Sequence, residues 1–173
     1  MSHSEFDDAY DDSHAEMERI ESAMLETPIS ELMHHNPFMV DADASVLSAV
    51  QAMNEHRVGC VLVQKAGKLV GIFTERDVLR RVVFQDGNRS WKVEAVMTPH
   101  PETLPPTASV AFALNKISVD GYRHLPIVNK EGKAIGIVSV KGIVHFLADF
   151  FPRDILNLPH DPHSVIPKTT DGG

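Results

Sequence analysis

The chain has 173 residues, of which 43% are hydrophobic and 23% are charged, so it is long enough for one domain or two small ones with a buried core. Its formal net charge of −8 comes from residues 1–26, which hold nine acidic residues and one basic residue, whereas the rest of the chain carries 15 of each sign. A neutral body lacks the basic surface that nucleic acid requires, and no apolar run approaches the roughly 20 residues that span a bilayer. We therefore expect a cytoplasmic protein that binds neither nucleic acid nor membrane.

Residues 1–26 are predicted to form an acidic leader. Residues 1–12 are polar and acidic, a composition typical of disorder. Further on, apolar side chains fall at helical spacing: Met17, Ile20, Met24 and Leu25. This spacing predicts a short amphipathic helix from Ser13 to Leu25.

After the leader, the sequence repeats itself with a shift of 64 residues. The apolar positions Val46, Ala49, Val50 and Met53 return as Val110, Ala113, Leu114 and Ile117, which predicts the same helix twice. One inserted residue near Gly121 changes the shift to 65, so that residues 71–74 match residues 136–139. Each copy also has two β-rich runs joined by a turn that contains glycine, which predicts a hairpin. The expected fold is therefore α/β, with two similar units.

The repeat also sets the predicted domain boundaries. They are 27–84 for the first unit, 85–90 for the linker, 91–151 for the second unit and 152–173 for an extended C-terminal tail. A unit of about 60 residues buries only about 60% of its unfolded surface and is marginal alone. We therefore expect the two units to pack into one body.

The most informative stretch lies at the end of the first copy, where an apolar run is followed by Thr74 and Asp77. Thr74 is a good N-cap, and the N-terminus of a helix favours an anion. An ionised Asp has only acceptor sites, which suit the two hydroxyls of a ribose. The same two residues also match a helix capping box, with Asp in place of Glu. Both interpretations, ribose binding and capping, remain open from these residues.

No catalytic or metal-binding constellation is predicted. Cys60 lies in an apolar run, which indicates a buried small side chain rather than a nucleophile. His34 and His35, and the pair His160 and His163, lack the further ligands of a structural zinc site. The sequence also has no phosphate-binding loop of the kind in which glycines precede a lysine, so a small nucleotide-processing enzyme is disfavoured.

Together, these motifs resemble a tandem of cystathionine-beta-synthase (CBS) domains, a pair known as a Bateman module, here of the stand-alone bacterial type. The resemblance rests on the openings at Met33 and Met97, the strand that contains residues 124–128, and the ending at residues 71–77. It covers about residues 27–151. It implies two units about a pseudo-twofold axis, with two clefts for adenosine-containing ligands, and modules that commonly dimerise.

The resemblance also implies which residues bind the ligand. For the first cleft they are Gly71, Thr74, Asp77, Tyr122, Arg123, His124 and Pro126. For a weaker second cleft they are Val58, Gly59, Cys60, Ser139 and Lys141. The second copy has Gly142 where the first has Asp77, so its ribose site lacks the carboxylate. Arg123 and His124 are expected to contact phosphate, although surface ion pairs are the alternative.

The function predicted from this resemblance is a non-catalytic regulatory module. It requires no cofactor, and the expected ligand is AMP, ADP or ATP, with NAD or S-adenosylmethionine as alternatives. Its output is expected to reach a separate regulated protein or a second copy of the chain in a homodimer. The competing hypothesis is a dimerisation or interaction module whose ligand clefts are vestigial.

Overall fold

The computed structural model describes residues 3–83 and 90–150. Within these ranges the helices are α1 (His3–Glu26), α2 (Val46–His56), α3 (Glu75–Asp77, continued as a π-helix over Val78–Val82), α4 (Val110–Asp120) and α5 (Val140–Ala148). The strands are β1 (His34–His35), β2 (Met39–Asp41), β3 (Cys60–Lys65), β4 (Lys68–Thr74), β5 (Thr98–Pro99), β6 (His124–Val128) and β7 (Ala134–Ser139). Short 3₁₀ helices cover Ile29–Glu31 and Val93–Ala95.

The strands form two small sheets, one in each of two similar units related by a pseudo-twofold axis. The first sheet has the order β2-β3-β4-β5 and the second has the order β1-β7-β6. In each unit a hairpin forms the centre, β3 with β4 and β6 with β7, both antiparallel. The predicted α/β fold with two hairpins is confirmed.

The two long helices of the units begin and end in the same way, because their capping residues correspond. Ser45 accepts a hydrogen bond from the backbone N–H of Ser48, and Ser109 accepts one from that of Phe112. Both helices end at a residue in the left-handed conformation, Arg57 in α2 and Gly121 in α4. These caps stabilise the predicted helices at both ends.

The opening segment of each repeat packs into the other unit. Strand β1 pairs with β7 of the second sheet, and its counterpart β5 pairs with β4 of the first sheet. Ile29 lies in the hydrophobic core of the second unit, whereas Val93 and Val96 lie in that of the first. Each structural unit is thus completed by residues from the other repeat, an exchange that the sequence periodicity did not reveal.

A third apolar cluster joins the two sheets. It contains Cys60, Leu62 and Ile72 of the first sheet and Ala134 of the second, all buried. The backbone N–H of Leu69 also donates a hydrogen bond to the carbonyl oxygen of Gly132, at a distance of 3.3 Å. The two sheets therefore face each other, and the clefts lie where strand ends from both units meet.

The leader differs from its prediction. Helix α1 begins at His3 and runs without interruption to Glu26, so the prediction of disorder is wrong for residues 3–12. Acidic residues interact favourably with the dipole in the first turns of a helix, and Ala, Glu and Met are good helix formers. Helix α1 contacts α4 of the second unit.

Some sequence predictions lie outside the described residues. They concern most of the linker over 85–90 and the tail over 152–173, including His160 and His163. Among the residues that are described, no helix combines the length and the apolar character needed to cross a membrane.

Candidate functional site

The first cleft opens where β4 ends and α3 begins. Thr74 accepts a hydrogen bond from the backbone N–H of Asp77 at 3.2 Å. In return, Oδ2 of Asp77 accepts hydrogen bonds from the backbone N–H of Thr74 at 3.0 Å and from its hydroxyl at 2.7 Å. This reciprocal arrangement is a capping box, so the capping interpretation of the two residues is confirmed.

The other oxygen of Asp77 connects the two repeats. The hydroxyl of Thr98, in β5, donates to Oδ1 of Asp77 at 3.3 Å, and Nη1 of Arg81 lies 3.5 Å from the same oxygen. Arg81 also donates to the backbone carbonyls of Val96 and Met97, just before β5. Asp77 is only 7% exposed, and these partners compensate for the burial of its charge. Sequence analysis missed Thr98 and Arg81, because neither belongs to the motif and both act through tertiary contacts.

The opposite wall of the first cleft follows the C-terminus of α4. Gly121 has φ of 73°, a left-handed conformation that ends the helix and leads the chain into the cleft. The next three residues are Tyr122, Arg123 and His124, which line the cleft together with Thr74 and Asp77. The structure thus brings together five of the seven residues predicted for this site. The cleft has a volume of about 290 Å³, close to the lower limit for small-molecule sites.

Further residues line this cleft that were not predicted for it. They are Gly59, Ile72, Glu75, Arg76, Arg80, Arg81, Thr98, Pro101, Glu102, Asp120 and Gly121. Glu102 and Asp120 share one partner, since Nζ of Lys116 lies 3.0 Å from Oε1 of Glu102 and 3.5 Å from Oδ2 of Asp120. The acidic side of the cleft is therefore partly neutralised by Lys116.

His124 lines the first cleft and is half-buried. Burial lowers the pKa of His124 and Arg123 lowers it further, whereas Glu75 raises it. Glu75 is held nearby because its backbone N–H donates to the carbonyl oxygen of Gly59 at 3.1 Å. A Cβ placed on Gly59 would lie 3.6 Å from Cε1 of His124, which shows how closely the strand ends of the two units approach. His124 is therefore predominantly neutral at pH 7.

Gly71 and Pro126, the other two residues predicted for the first site, do not line its cleft. A side chain on Gly71 would collide with Met97, and one on Gly136 would collide with Met33. Because the second copy has the same glycine and methionine, this contact belongs to the packing of the exchanged segments. Pro126 is buried in β6, where its carbonyl oxygen accepts a hydrogen bond from Leu104.

The residues predicted for the second cleft are not gathered in one pocket. Gly59 lines the first cleft, and Val58 lines a separate groove beside α2. Cys60 is buried between the sheets, and burial, with a further effect of Glu75, raises the pKa of its thiol to about 12. Ser139 caps α5 by accepting a hydrogen bond from the backbone N–H of Gly142 at 3.3 Å, and Lys141 is exposed.

An aromatic pair in the first repeat occupies the positions that correspond to the acidic wall of the first cleft. By the repeat shift of 64, Phe38 corresponds to Glu102 and His56 corresponds to Asp120. The two rings stack with their centroids 3.8 Å apart and an interplanar angle of 15°. The positions that hold paired charges in the first cleft are thus covered by stacked rings in the second.

The high pKa of the Cys60 thiol leaves very little reactive thiolate at neutral pH. Across residues 3–83 and 90–150, no group of three or more His, Cys, Asp or Glu side chains is placed to hold a metal ion. The first cleft instead has a buried carboxylate at a helix N-terminus on one wall, and the guanidinium group of Arg123 beside the imidazole of His124 on the other.

Comparison with known proteins agrees with this description. The family model of the CBS domain matches residues 29–83 and 93–149. A CBS domain-containing protein of Arabidopsis thaliana, the mitochondrial CBSX3, is 34% identical over 137 residues, covering 72% of this chain and 66% of the relative. The chain spans only 24% of the length of another Arabidopsis thaliana relative, CBSCBSPB5, which is 30% identical over 132 residues.

Solved structures show the same fold. An uncharacterized conserved protein from Pyrococcus horikoshii is 27% identical with a TM-score of 0.65, covering 71% of this chain and 93% of that structure. CBSX2 in complex with AMP is 22% identical with a TM-score of 0.64, covering 70% and 97%. The CBS domain pair of protein MJ0100 in complex with 5′-methylthioadenosine and S-adenosyl-L-methionine is 21% identical with a TM-score of 0.65, covering 71% and 97%.

The fold and the family match define the class of protein: a pair of CBS domains. This chain belongs to the CBS domain family, with one domain in each of its two repeats.

Proposed function

We propose that this chain is a non-catalytic regulatory module that binds an adenine nucleotide in the first cleft. The observation that carries the proposal is that the two walls of this cleft present different chemical groups to the same space. Asp77 supplies a fixed carboxylate at a helix N-terminus, and Arg123 and His124 face the same space. A ribose and a phosphate on one ligand match these two walls. Structural neighbours in complexes with AMP and with S-adenosyl-L-methionine support an adenosine-containing ligand.

Asp77 retains the capacity to bind a ribose while it caps the helix. A carboxylate has roughly four acceptor positions. Two hydrogen bonds from Thr74 occupy Oδ2, whereas the contacts of Oδ1 with Thr98 and Arg81 are longer, 3.3 Å and 3.5 Å. We infer that the ribose hydroxyls donate to Oδ1 and compete there with Thr98.

This competition offers a physical route for regulation. A ligand shifts a conformational equilibrium only by its different affinities for the two states. Thr98 belongs to β5, which the second repeat contributes to the first sheet. A ribose that replaces the Thr98 contact therefore removes one hydrogen bond that fixes β5 to the first unit. A partner protein or second copy would bind the resulting conformation with a different affinity.

The experiment that tests the proposal is calorimetric titration of the protein and its Asp77→Asn variant with AMP, ADP and ATP. Asn keeps an acceptor for the capping box but removes the charge, so the fold is expected to survive. We expect affinity to fall by about 1.5–3 kcal/mol, the range for a hydrogen bond to a charged group, or about tenfold to a hundredfold.

Asp149→Asn is the matched control, because Asp149 is an exposed carboxylate at the end of α5 that lines neither described pocket. Its affinity should equal that of the unmodified protein. Unchanged affinity in Asp77→Asn would leave Asp77 as a helix cap alone.

One observation favours the second candidate, an interaction module with vestigial clefts. Several large apolar side chains on the helices are exposed: Leu47, Leu79, Val83, Phe112, Val119 and Val144. A groove of about 550 Å³ between α2 and the helix after β4 includes Leu79. These faces suit association with a second copy. A dimer that binds none of AMP, ADP, ATP, NAD or S-adenosylmethionine would support this candidate over the first.

A further inference from the structure

The first cleft contains more cationic side chains than one phosphate needs. Arg76 and Arg80 lie one turn apart, on either side of Asp77 in the sequence, and both line the cleft from the α3 wall. Arg123 lines it from the opposite wall. All three residues are exposed. Of the three, only Arg123 was predicted as a site residue, as a contact to phosphate.

These arginines differ from the other charged residues of the cleft in having no partner. Within residues 3–83 and 90–150, no ion pair or hydrogen bond holds the guanidinium groups of Arg76, Arg80 and Arg123. By contrast, Asp77 is paired with Arg81, and the carboxylates of Glu102 and Asp120 share Lys116.

Glu75 is the remaining carboxylate that lines the cleft, and it lies at one end of it. Its Oε2 would be 3.5 Å from a Cβ on Gly59, and its charge raises the pKa of His124, so it lies beside Gly59 and His124. Lys116 compensates only one of the two charges on Glu102 and Asp120, so three unpaired guanidinium groups face Glu75 and one further negative charge. The remaining excess of one positive charge is accompanied by free hydrogen-bond donors on the walls that flank Asp77.

Such an arrangement suits a chain of phosphates better than a single one. A guanidinium binds phosphate oxygens bidentately, and each further phosphate adds acceptors and negative charge. The proposed function places the ribose at Asp77. Arg76 and Arg80 line the same wall of the cleft, so a 5′-phosphate on that ribose extends beside them. AMP leaves part of this cationic surface unpaired, whereas ADP and ATP have the additional phosphates to reach it.

We propose that the first cleft selects an adenine nucleotide with two or more phosphates, and that Arg76 and Arg80 bind the phosphates beyond the first. The two arginines are specificity-determining residues that distinguish ATP and ADP from AMP. This proposal rests on the proposed function of the cleft and specifies its ligand.

The test is calorimetric titration with adenosine, AMP, ADP and ATP at fixed ionic strength in metal-free buffer. We expect ATP to bind at least about tenfold more tightly than AMP, the gain from one added charged contact. In the double variant Arg76→Gln/Arg80→Gln, ATP affinity should fall to that of AMP, while AMP affinity stays within about twofold of the unmodified value.

Lys130→Gln is the control, because Lys130 is an exposed cation in the turn between β6 and β7 and lines neither described pocket. It should leave the preference for ATP unchanged. Both arginines are exposed, so the double variant is expected to keep its melting temperature. The single variants, each expected to lose part of the preference, provide a second measurement.

Equal affinities of the unmodified protein for AMP and ATP would overturn this proposal and leave the proposed function intact. A preference for ATP that survives in the double variant would overturn the roles of Arg76 and Arg80. No binding of any adenine nucleotide would overturn the proposed function, and this inference with it.

Discussion

The two clefts are built on equivalent backbones but have different chemistry. In the first, Thr74 and Asp77 form a reciprocal capping box, whereas in the second Ser139 caps α5 and Gly142 supplies no carboxylate. The facing walls differ as well, since stacked rings of Phe38 and His56 replace the charged residues of the first cleft. A helix start needs only the hydroxyl cap, so the carboxylate at Asp77 is an addition specific to the first cleft.

What the two units share is the packing of the exchanged segments. Met97 packs on Gly71 in the first unit, and Met33 packs on Gly136 in the second. The scaffold therefore has the glycine and methionine in both copies, whereas the side chains at the positions of Asp77, Glu102 and Asp120 differ between the copies. Four predictions test this distinction between shared scaffold and unshared site, beginning with the scaffold.

The first prediction concerns Gly71 and Gly136. Adding a methyl group at either position forces the facing methionine to move, and overpacking of a filled core typically costs about 1–3 kcal/mol. We expect Gly71→Ala and Gly136→Ala to lower the free energy of unfolding by similar amounts in urea denaturation.

Gly142→Ala is the control for this pair. Its added Cβ would have no neighbour closer than 3.7 Å, so no overpacking is expected. A loss at Gly71 with none at Gly136 would show that the glycine in the first repeat has a role other than packing.

The second prediction is that the unmodified chain has one strong nucleotide site. The charged contact missing from the second cleft is worth about 1.5–3 kcal/mol, so the two sites should differ in affinity by about tenfold to a hundredfold. Calorimetry should give a stoichiometry near one nucleotide per chain. Two sites of equal affinity would show that Asp77 is not the contact that distinguishes the clefts.

The third prediction reverses that difference with Gly142→Asp. An Asp at this position can complete the capping box that Ser139 begins, so the free energy of unfolding should rise by about 0.5–1 kcal/mol. We expect binding stoichiometry to rise above one nucleotide per chain in Gly142→Asp, and to rise further when Phe38→Glu breaks the stack with His56. If neither variant gains binding, the carboxylate is insufficient for a ribose site in the second unit.

The fourth prediction concerns pH and has the smallest expected effect. Burial of His124 lowers its pKa in the folded protein, so the unfolded state binds more protons as pH falls below the ordinary histidine value of about 6.5. The stability contributed by neutral His124 is therefore fully present above the ordinary histidine pKa. It is lost as pH falls from that value through the lower pKa of the folded state. The comparison of His124→Gln with the unmodified protein in urea at several pH values isolates this contribution.

The same residue makes nucleotide binding depend on pH with the opposite sign. A phosphate beside His124 favours its protonated form, so the complex takes up a proton and affinity should increase as pH is lowered. Calorimetry in buffers of different ionisation enthalpy measures this proton uptake directly. His124→Gln should abolish it, and uptake that persists in the variant would have to come from another group.

The sequence by itself determined the elements of the fold. The repeated spacing of Val46 and Val110 and their neighbours predicted α2 and α4, and the β-rich runs predicted both hairpins. These predictions succeeded because periodicity and turn residues are local properties of the chain. The disorder prediction for residues 3–12 was wrong, because composition alone does not decide whether an acidic segment becomes helical.

Only the tertiary structure decided which unit each opening segment completes. Residues 34–35 and 98–99 each precede the hairpin of their own repeat by the same number of residues, so the repeat spacing does not indicate that they pair with the other hairpin. The contact of Asp77 with Thr98 follows from that exchange, because β5 pairs with β4 of the first sheet. The cleft itself exists only because the two repeats come together, since its walls carry Arg76 and Arg80 from one repeat and Arg123 from the other. Local sequence specifies the backbone of each repeat, whereas the site lies between repeats and depends on contacts between residues far apart in the chain.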